Sequence, residues 1–188
     1  MTGVQTCALP ILKVYVKDSN NRESSVSSTS VKTKIPRFDE TCNDNTLACH
    51  TAKLYTGTQG ANNIYYHDAS LTNGAGDNSY RYAGASDQVN NYVCFGSSVI
   101  PCPADNLYRI IGVFGNKVKL IKSQFVKGSK AWDSSNKNTW STSSLNTYLN
   151  NEFITTFDET TKGKIAETTR KVGGNTSANI AGQTAKTA

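Results

Sequence analysis

By residue type and spacing, the cysteines of this sequence are its best candidates for disulfide formation or metal binding. Four of them form two close pairs, Cys42 with Cys49 and Cys94 with Cys102. Both pairs are spaced more widely than the roughly two to four residues usual between zinc ligands, which disfavours a zinc site completed by His50. Disulfides closing loops of this length would each stabilise the fold by roughly 2.5 kcal/mol and need an oxidising compartment. We therefore predict two local disulfides, with free buried thiols as the other alternative.

An oxygen-rich loop offers a second candidate site. Asp68, Asn73 and Asp77 lie around two glycines, Gly74 and Gly76, and calcium binds carboxylate and amide oxygens. Their spacing differs from that of an EF-hand loop, and ordinary loops built from Asx turns have the same composition. These three residues are candidate calcium ligands, with a turn-rich loop as the favoured alternative. No other metal or cofactor is predicted.

Two tryptophans and two histidines complete the candidates. Trp132 and Trp140 flank the polar stretch DSSNKNT. Exposed indoles could stack on a bound sugar, whereas buried ones would pin a helix to a sheet, and burial is favoured for Trp140. Neither His50 nor His67 lies in a nucleophile or metal-binding motif. We predict hydrogen-bonding roles for both histidines and no catalytic residues.

The elements that must position these residues begin with a hairpin. The apolar stretch NLYRIIGVF is followed by Gly115-Asn116 and then by KVKLIK, in which lysine alternates with valine and leucine. This order predicts two antiparallel strands joined by a two-residue turn. Lys117, Lys119 and Lys122 are expected on the solvated face of the second strand.

Two short helices are predicted after the hairpin. Four apolar side chains recur with helical spacing and so share one face: Leu145, Tyr148, Leu149 and Phe153. Residues 141–144 supply N-cap candidates for this helix. Asp158 is placed to cap a second short helix.

The chain divides into four segments. Residues 2–11 match the translation of a common sequencing-library adapter residue for residue, so residues 1–11 are treated as an artefact and the natural chain is expected to begin upstream of Leu12. Residues 12–34 alternate valine with polar residues around a turn, which predicts a β-hairpin. Residues 35–53 predict a linker closed by the Cys42–Cys49 loop. Residues 54–188 are the main domain, in which 61–84 is expected to be loop anchored by tyrosines.

The composition narrows the class of protein. The 188 residues are 37% hydrophobic and 18% charged, with many serines, threonines and asparagines, which favours strands and long turns. The net charge of +6 comes from basic residues spread along the chain, so we predict no nucleic-acid partner. No stretch reaches the roughly 18 apolar residues of a membrane helix. Anchoring to a membrane or cell wall would therefore depend on segments missing here.

Residues 54–188 contain four distinctive motifs: SYRYAG at 79–84, NYVCFG at 91–96, CPADNLYRIIG at 102–112 and VGGNTSANI at 172–180. On these motifs the segment resembles an uncharacterised family of bacterial cell-surface domains. It implies kinship with C-type-lectin and formylglycine-generating-enzyme folds. Residues 12–34 resemble the last two strands of a fibronectin type III or immunoglobulin-like domain.

Together these features predict an α+β fold. We expect a truncated, lectin-like mixed domain with a central β-hairpin and one or two short helices, preceded by the remnant hairpin of an immunoglobulin-like sandwich. In the resembling family a C-terminal half completes the domain and carries the ligand site, and we expect it to be missing here. The resemblance therefore transfers no binding or catalytic residues.

The function expected is that of a non-catalytic, extracellular module at the bacterial surface. Its ligand would be a glycan or another surface ligand, and its role adhesion. The alternative is a structural stalk or pilus-like protein without a ligand. A third hypothesis, an oxidase related to formylglycine-generating enzymes, requires a reactive cysteine.

Overall fold

The computed structural model describes residues 15–17, 23–25, 35–137, 139–170 and 186–187. It divides into two compact units, Met1–Arg37 and Phe38–Ala188. In the first unit, β1 (Tyr15–Lys17) pairs antiparallel with β2 (Glu23–Ser25). This confirms strand pairing in the predicted hairpin, whereas its immunoglobulin-like origin stays a prediction. Residues 1–11 and the rest of 12–34 lie outside the described residues.

The second unit is built on a five-stranded antiparallel sheet. Its strands are β3 (Ile64–His67), β4 (Ser79–Tyr82), β5 (Tyr92–Cys94), β6 (Leu107–Phe114) and β7 (Lys117–Lys122). The long strand β6 is central. One edge of β6 pairs with β7. Along the other edge, β5 pairs with the first residues of β6, and β4 pairs with residues near the C-terminal end of β6. β3 lies outside β4.

Short helices accompany the sheet. They are α1 (Phe38–Thr41), α2 (Leu47–Lys53), α3 (Ser144–Asn151) and α4 (Glu159–Lys162). The side chains of Thr46, Ser143 and Asp158 accept backbone hydrogen bonds at the N-termini of α2, α3 and α4. Two further short strands, β8 (Thr169–Arg170) and β9 (Lys186–Thr187), pair with each other. The mixed α+β class, the hairpin β6–β7, the helix α3 and the Asp158 cap are confirmed.

The core lies between α2 and one face of the sheet. Ile64, Tyr66, Tyr80 and Val113 point to this face and pack with Tyr55 and with two small residues of α2, Ala48 and Ala52. The two alanines are four residues apart and so occupy one helical face. Their small side chains let the helix approach the three tyrosine rings, whose centroids are 4.8–5.9 Å apart.

Aromatic side chains hold α3 and α4 to the same face of the sheet. Phe95, which follows β5, lies edge-on to Tyr108 of β6 and to Phe157, with centroid distances of 5.6 and 5.7 Å. Phe157 in turn contacts Phe153 at 5.4 Å, and Phe153 contacts Tyr148 of α3 at 6.4 Å. The apolar face predicted for α3 therefore meets the sheet through a chain of rings.

Two segments differ from the sequence-based predictions. Residues 35–53, predicted as a linker, contain α1 and α2, and α2 buries four residues, among them Cys49. Residues 61–84, predicted as loop, contain β3 and β4. Alanine in the first segment and tyrosine in the second take the place of the usual aliphatic core residues. A buried tyrosine needs a partner for its hydroxyl, and Tyr80 donates to Asp39 while Tyr66 donates to Asn78.

The cross-strand register places the strand side chains that do not point to the core on the other face of the sheet, here called the open face. Tyr65, Arg81, Gly112 and Lys119 form one row of neighbours across four strands. Tyr92, Arg109 and Ile121 form a second row. Lys122 belongs instead to the core face, where its ammonium group contacts Asp105, contrary to the predicted solvated row. The open face is where polar, aromatic and aliphatic side chains meet solvent.

Candidate binding groove on the open sheet face

A groove of about 670 Å³ runs along the open face between the sheet and the loop that joins β4 to β5. Ile111 and Ile121 supply aliphatic surface, and Tyr92 supplies an aromatic ring at one side. Ile121 is 54% exposed and Tyr92 is 48% exposed, so both side chains present apolar surface to solvent. The loop contributes polar groups from Ser86 and Asp87.

Arg109 is a charged group of this groove that three neighbouring groups hold in place. Its Nε donates to Oδ1 of Asn91 at 2.8 Å, and its Nη2 donates to the carbonyl of Val89 at 3.0 Å. Its guanidinium carbon lies 5.0 Å from the centroid of the Tyr92 ring, a cation–π distance. Among the described residues, the guanidinium is thus oriented by neutral groups alone.

Asn91 explains why Arg109 takes this position. β4 and β5 share one edge of β6 and leave an interval between them, and Asn91 fills it. Its backbone carbonyl accepts from the amide of Ile110 at 2.8 Å, and its side-chain Nδ2 donates to the Ile110 carbonyl at 2.6 Å. Asn91 is only 7% exposed. Its remaining amide oxygen is therefore fixed as the acceptor for Arg109.

Arg81, on the same face, has a different environment. Its Nη2 lies 2.6 Å from Oδ2 of Asp77, its Nε donates to the Ser79 hydroxyl, and it lies over the Phe114 ring. Partial burial acts to raise the pKa of Asp77, but hydrogen bonds from Ser79 and Arg81 outweigh it and the pKa is lowered. Within the part of the chain that the structure describes, Arg81 has an ion-pair partner on this face and Arg109 has none.

The two predicted disulfides are present, Cys42–Cys49 and Cys94–Cys102, with Cα atoms 5.5 and 5.7 Å apart. Two of the four half-cystines lie in regular elements rather than in the predicted loops, since Cys49 is in α2 and Cys94 is in β5. The disulfides indicate an oxidising compartment. Among the described residues, no group of three or more His, Cys, Asp or Glu side chains is arranged to hold a metal ion.

The three candidate calcium ligands lie in the turns between β3 and β4. Oδ1 of Asp68 accepts from the amide and hydroxyl of Ser70, and Oδ1 of Asp77 accepts from the same two groups of Ser79. Asn73 lies in the left-handed region with φ 58°. These contacts fit the turn-rich alternative, and calcium binding by these residues stays a prediction.

The tryptophans contact each other, with ring centroids 5.4 Å apart, and both are half-buried. The carbonyl of Trp132 accepts from the Leu145 amide at 3.1 Å, which ties this segment to α3. The indole N–H of Trp132 is buried and has no hydrogen-bond partner among the described residues. Stacking of either ring on a ligand stays a prediction.

His67 has the hydrogen-bonding role expected of it, because its Nδ1 accepts from the amide of Ala75 at 3.1 Å. Partial burial and the nearby Arg81 guanidinium lower the pKa of His67, although Asp77 acts in the opposite direction. The imidazole therefore stays neutral to a lower pH than usual and remains an acceptor for the loop. His50 lies exposed on α2.

Comparison with known proteins adds one match. Residues 115–188 match a family described as "Domain of unknown function (DUF6273)". The matched segment starts at the β6–β7 turn and covers less than half of the chain. No curated protein and no solved structure matches the chain. In the described residues there is no helix with the length and apolar character needed to span a membrane.

Sequence reasoning missed the groove. Arg109 lies 17 residues after Tyr92 and 18 after Asn91, and it meets them only because β5 pairs with β6. One signal was present in the sequence, because Arg109 is a charged residue inside the apolar stretch LYRIIGVF. Such a residue on a strand must find partners on one face, and here those partners form the candidate site.

Proposed function

We propose that this protein is a non-catalytic, extracellular module at a bacterial cell surface that binds carbohydrate through its open sheet face. The main observation behind this proposal is the groove itself. It places the half-exposed Tyr92 and Ile121 side chains beside hydrogen-bonding groups that the fold holds in place. Sugar rings combine apolar C–H faces with hydroxyl edges, so a surface of this mixed kind suits them.

The covalent structure supports an extracellular location. Two disulfides close short loops on the domain, and such bonds persist in proteins exposed to an oxidising environment. The resemblance of residues 54–188 to bacterial surface domains agrees with secretion. An adhesive role at the surface requires a ligand site that solvent can reach, and the open face offers one.

The oxidase hypothesis needs a reactive thiolate. Cys42, Cys49, Cys94 and Cys102 are all joined in disulfides. This state favours a structural role for them and therefore favours the binding module. The structural-stalk hypothesis differs in needing no ligand, so a binding experiment separates it from the proposal.

Binding of the oxidised full chain to a panel of neutral and acidic polysaccharides tests the proposal. We expect Ile121→Ser to weaken binding about tenfold, because it removes apolar surface from the groove. Val99→Ser is the matched control, since Val99 is 61% exposed and lies outside the groove. Control binding should equal that of the unmodified chain. Failure of the chain to bind any polysaccharide, with self-association instead, would favour the structural stalk.

A further inference from the structure

We infer that the ligand of the groove is a carboxylate-bearing glycan and that Arg109 recognises its carboxylate. This inference rests on the proposed carbohydrate-binding function and narrows its ligand class. It makes Arg109 the specificity-determining residue. Asn91 is the positioning residue, because it holds the guanidinium in place.

The first step is the count of hydrogen-bond donors. Asn91 and Val89 accept from one Nε–H and one Nη2–H of Arg109. A guanidinium has more N–H groups than these two bonds use. Arg109 lines the groove, so the donors left over are available to a bound ligand there.

The second step is charge. Arg81 shows how this fold compensates a cation on the same face, with a carboxylate at 2.6 Å and a hydroxyl at 2.8 Å. Arg109 receives only neutral acceptors from the described part of the chain. A fixed cation without an internal counterion favours an anionic ligand, and a planar fork favours carboxylate geometry.

The third step concerns the other charges that line or border the groove. Lys119 lies on the open face, in the row next to that of Arg109 and Ile121. Asp87 is the opposing charge, and it lies on the exposed loop. Lys122 lines the groove but directs its ammonium group to Asp105. The cations on the face itself therefore outnumber the carboxylate on its rim.

The fourth step concerns the position of the sugar ring that carries the carboxylate. Arg109 and Ile121 are direct cross-strand neighbours, and Tyr92 pairs with Arg109 from the other side. A ligand whose carboxylate meets Arg109 would thus place its ring against one of these apolar neighbours. Uronic acids and sialic acids both carry a carboxylate on a sugar ring and share this chemistry.

The test compares each acidic glycan with a neutral partner of matched structure. Polygalacturonate is compared with the same polymer after reduction of its carboxyl groups, and sialyllactose is compared with lactose. We expect the full chain to prefer the acidic member of at least one pair by about tenfold or more, and the pair that shows it identifies the sugar. Equal binding to acidic and neutral members would overturn the inference but leave the proposed function standing. Binding to none of the four would overturn the inference, and the wider polysaccharide panel would then decide the proposed function.

Variants then assign the preference to Arg109. Arg109→Gln should abolish the preference for the acidic glycan. Arg81→Gln makes the same change of charge on the same face and should keep the preference. Arg109→Lys keeps the charge but loses the planar fork, and we expect it to lose most of the preference. Equal losses in the two glutamine variants, or full retention by Arg109→Lys, would show attraction by net charge alone and overturn the inference.

Folding of each variant is checked by its thermal transition. Should Arg109→Gln fail to fold, the comparison of acidic and neutral glycans with the unmodified chain still decides the ligand class. Salt provides an independent measurement, because binding that depends on a charge pair weakens as ionic strength rises. Binding to the preferred acidic glycan that is unchanged by salt would contradict the role of Arg109.

Discussion

The two faces of the five-stranded sheet are built from similar residues and used differently. The core face carries Tyr66, Tyr80 and Ile64, all buried under α2. The open face carries Tyr92 and Ile121, both about half-exposed. Residue type therefore does not decide which face is buried. The packing of the helices determines which face of the sheet is buried.

The two faces also satisfy their polar groups differently. On the core face the hydroxyls of Tyr80 and Tyr66 have protein partners, Asp39 and Asn78. On the open face Arg81 has a carboxylate partner in Asp77, whereas Arg109 has only neutral acceptors among the described residues. In the proposed function, a ligand supplies Arg109 with the counterion that Asp77 supplies to Arg81.

The sharpest test of this difference replaces one isoleucine on each face by alanine. Ile64 is 1% exposed in the core, and Ile64→Ala should lower the free energy of unfolding by about 2–5 kcal/mol, because it leaves a cavity. Ile121→Ala on the open face should lower it by no more than about 1 kcal/mol. Urea denaturation of the oxidised chain measures both values. Similar losses for the two variants would mean that the open face is covered.

The disulfides give the next largest effect. The Cys42–Cys49 bond joins the end of α1 to α2 over the core, and replacing both cysteines by alanine should lower the free energy of unfolding by about 2.5 kcal/mol. The Cys94–Cys102 bond closes a loop of nearly the same length, so its double alanine variant provides the matched comparison.

Mass mapping of the oxidised chain under non-reducing conditions checks the two pairings directly. The expected fragments contain Cys42 linked to Cys49 and Cys94 linked to Cys102. Free thiols at these four positions would undermine the extracellular assignment and reopen the metal and oxidase hypotheses.

The smallest expected effect concerns the hydroxyl of Tyr80. Burial, and then its bond to Asp39, raise the pKa of Tyr80 above the ordinary value of 10.0. Because the folded pKa is raised, this contribution to stability is fully present below pH 10 and is lost as the pH rises from there towards the folded pKa. Tyr80→Phe should reduce that alkaline loss and, at neutral pH, cost about 1 kcal/mol.

Urea denaturation of both forms at neutral pH and above pH 10 measures this effect. Tyr92→Phe on the open face is the control and should change stability at neutral pH by less than about 0.5 kcal/mol. An alkaline loss that is as steep in Tyr80→Phe as in the unmodified chain would contradict the assigned role of the Tyr80 hydroxyl.

Much of the second half of the domain was predictable because its signals are local. Gly115-Asn116 between two strand-like stretches predicted β6 and β7, and the structure has both strands. Helical spacing from Leu145 onward predicted α3, and Ser143 caps it. A turn or a cap depends on residues within a few positions of each other, so the sequence carries the information directly.

The first half was harder to predict for a physical reason. β3 and β4 bury tyrosines that also need hydroxyl partners, so the stretches appear polar and loop-like. α2 is seven residues long, too short for a clear period, and its buried side chains are small. These elements are stable because they pack together, which no single stretch of the chain records.

The sequence by itself determined the local chemistry of this protein: two disulfides between near neighbours, one hairpin turn and two helix caps. Only the tertiary structure decided which sheet face stays open and that Arg109 has no counterion among the described residues. Arg109 acquires its environment from Asn91 and Val89, 18 and 20 residues away. Contacts at that separation depend on strand order, because β5 must pair with β6 before the groove exists.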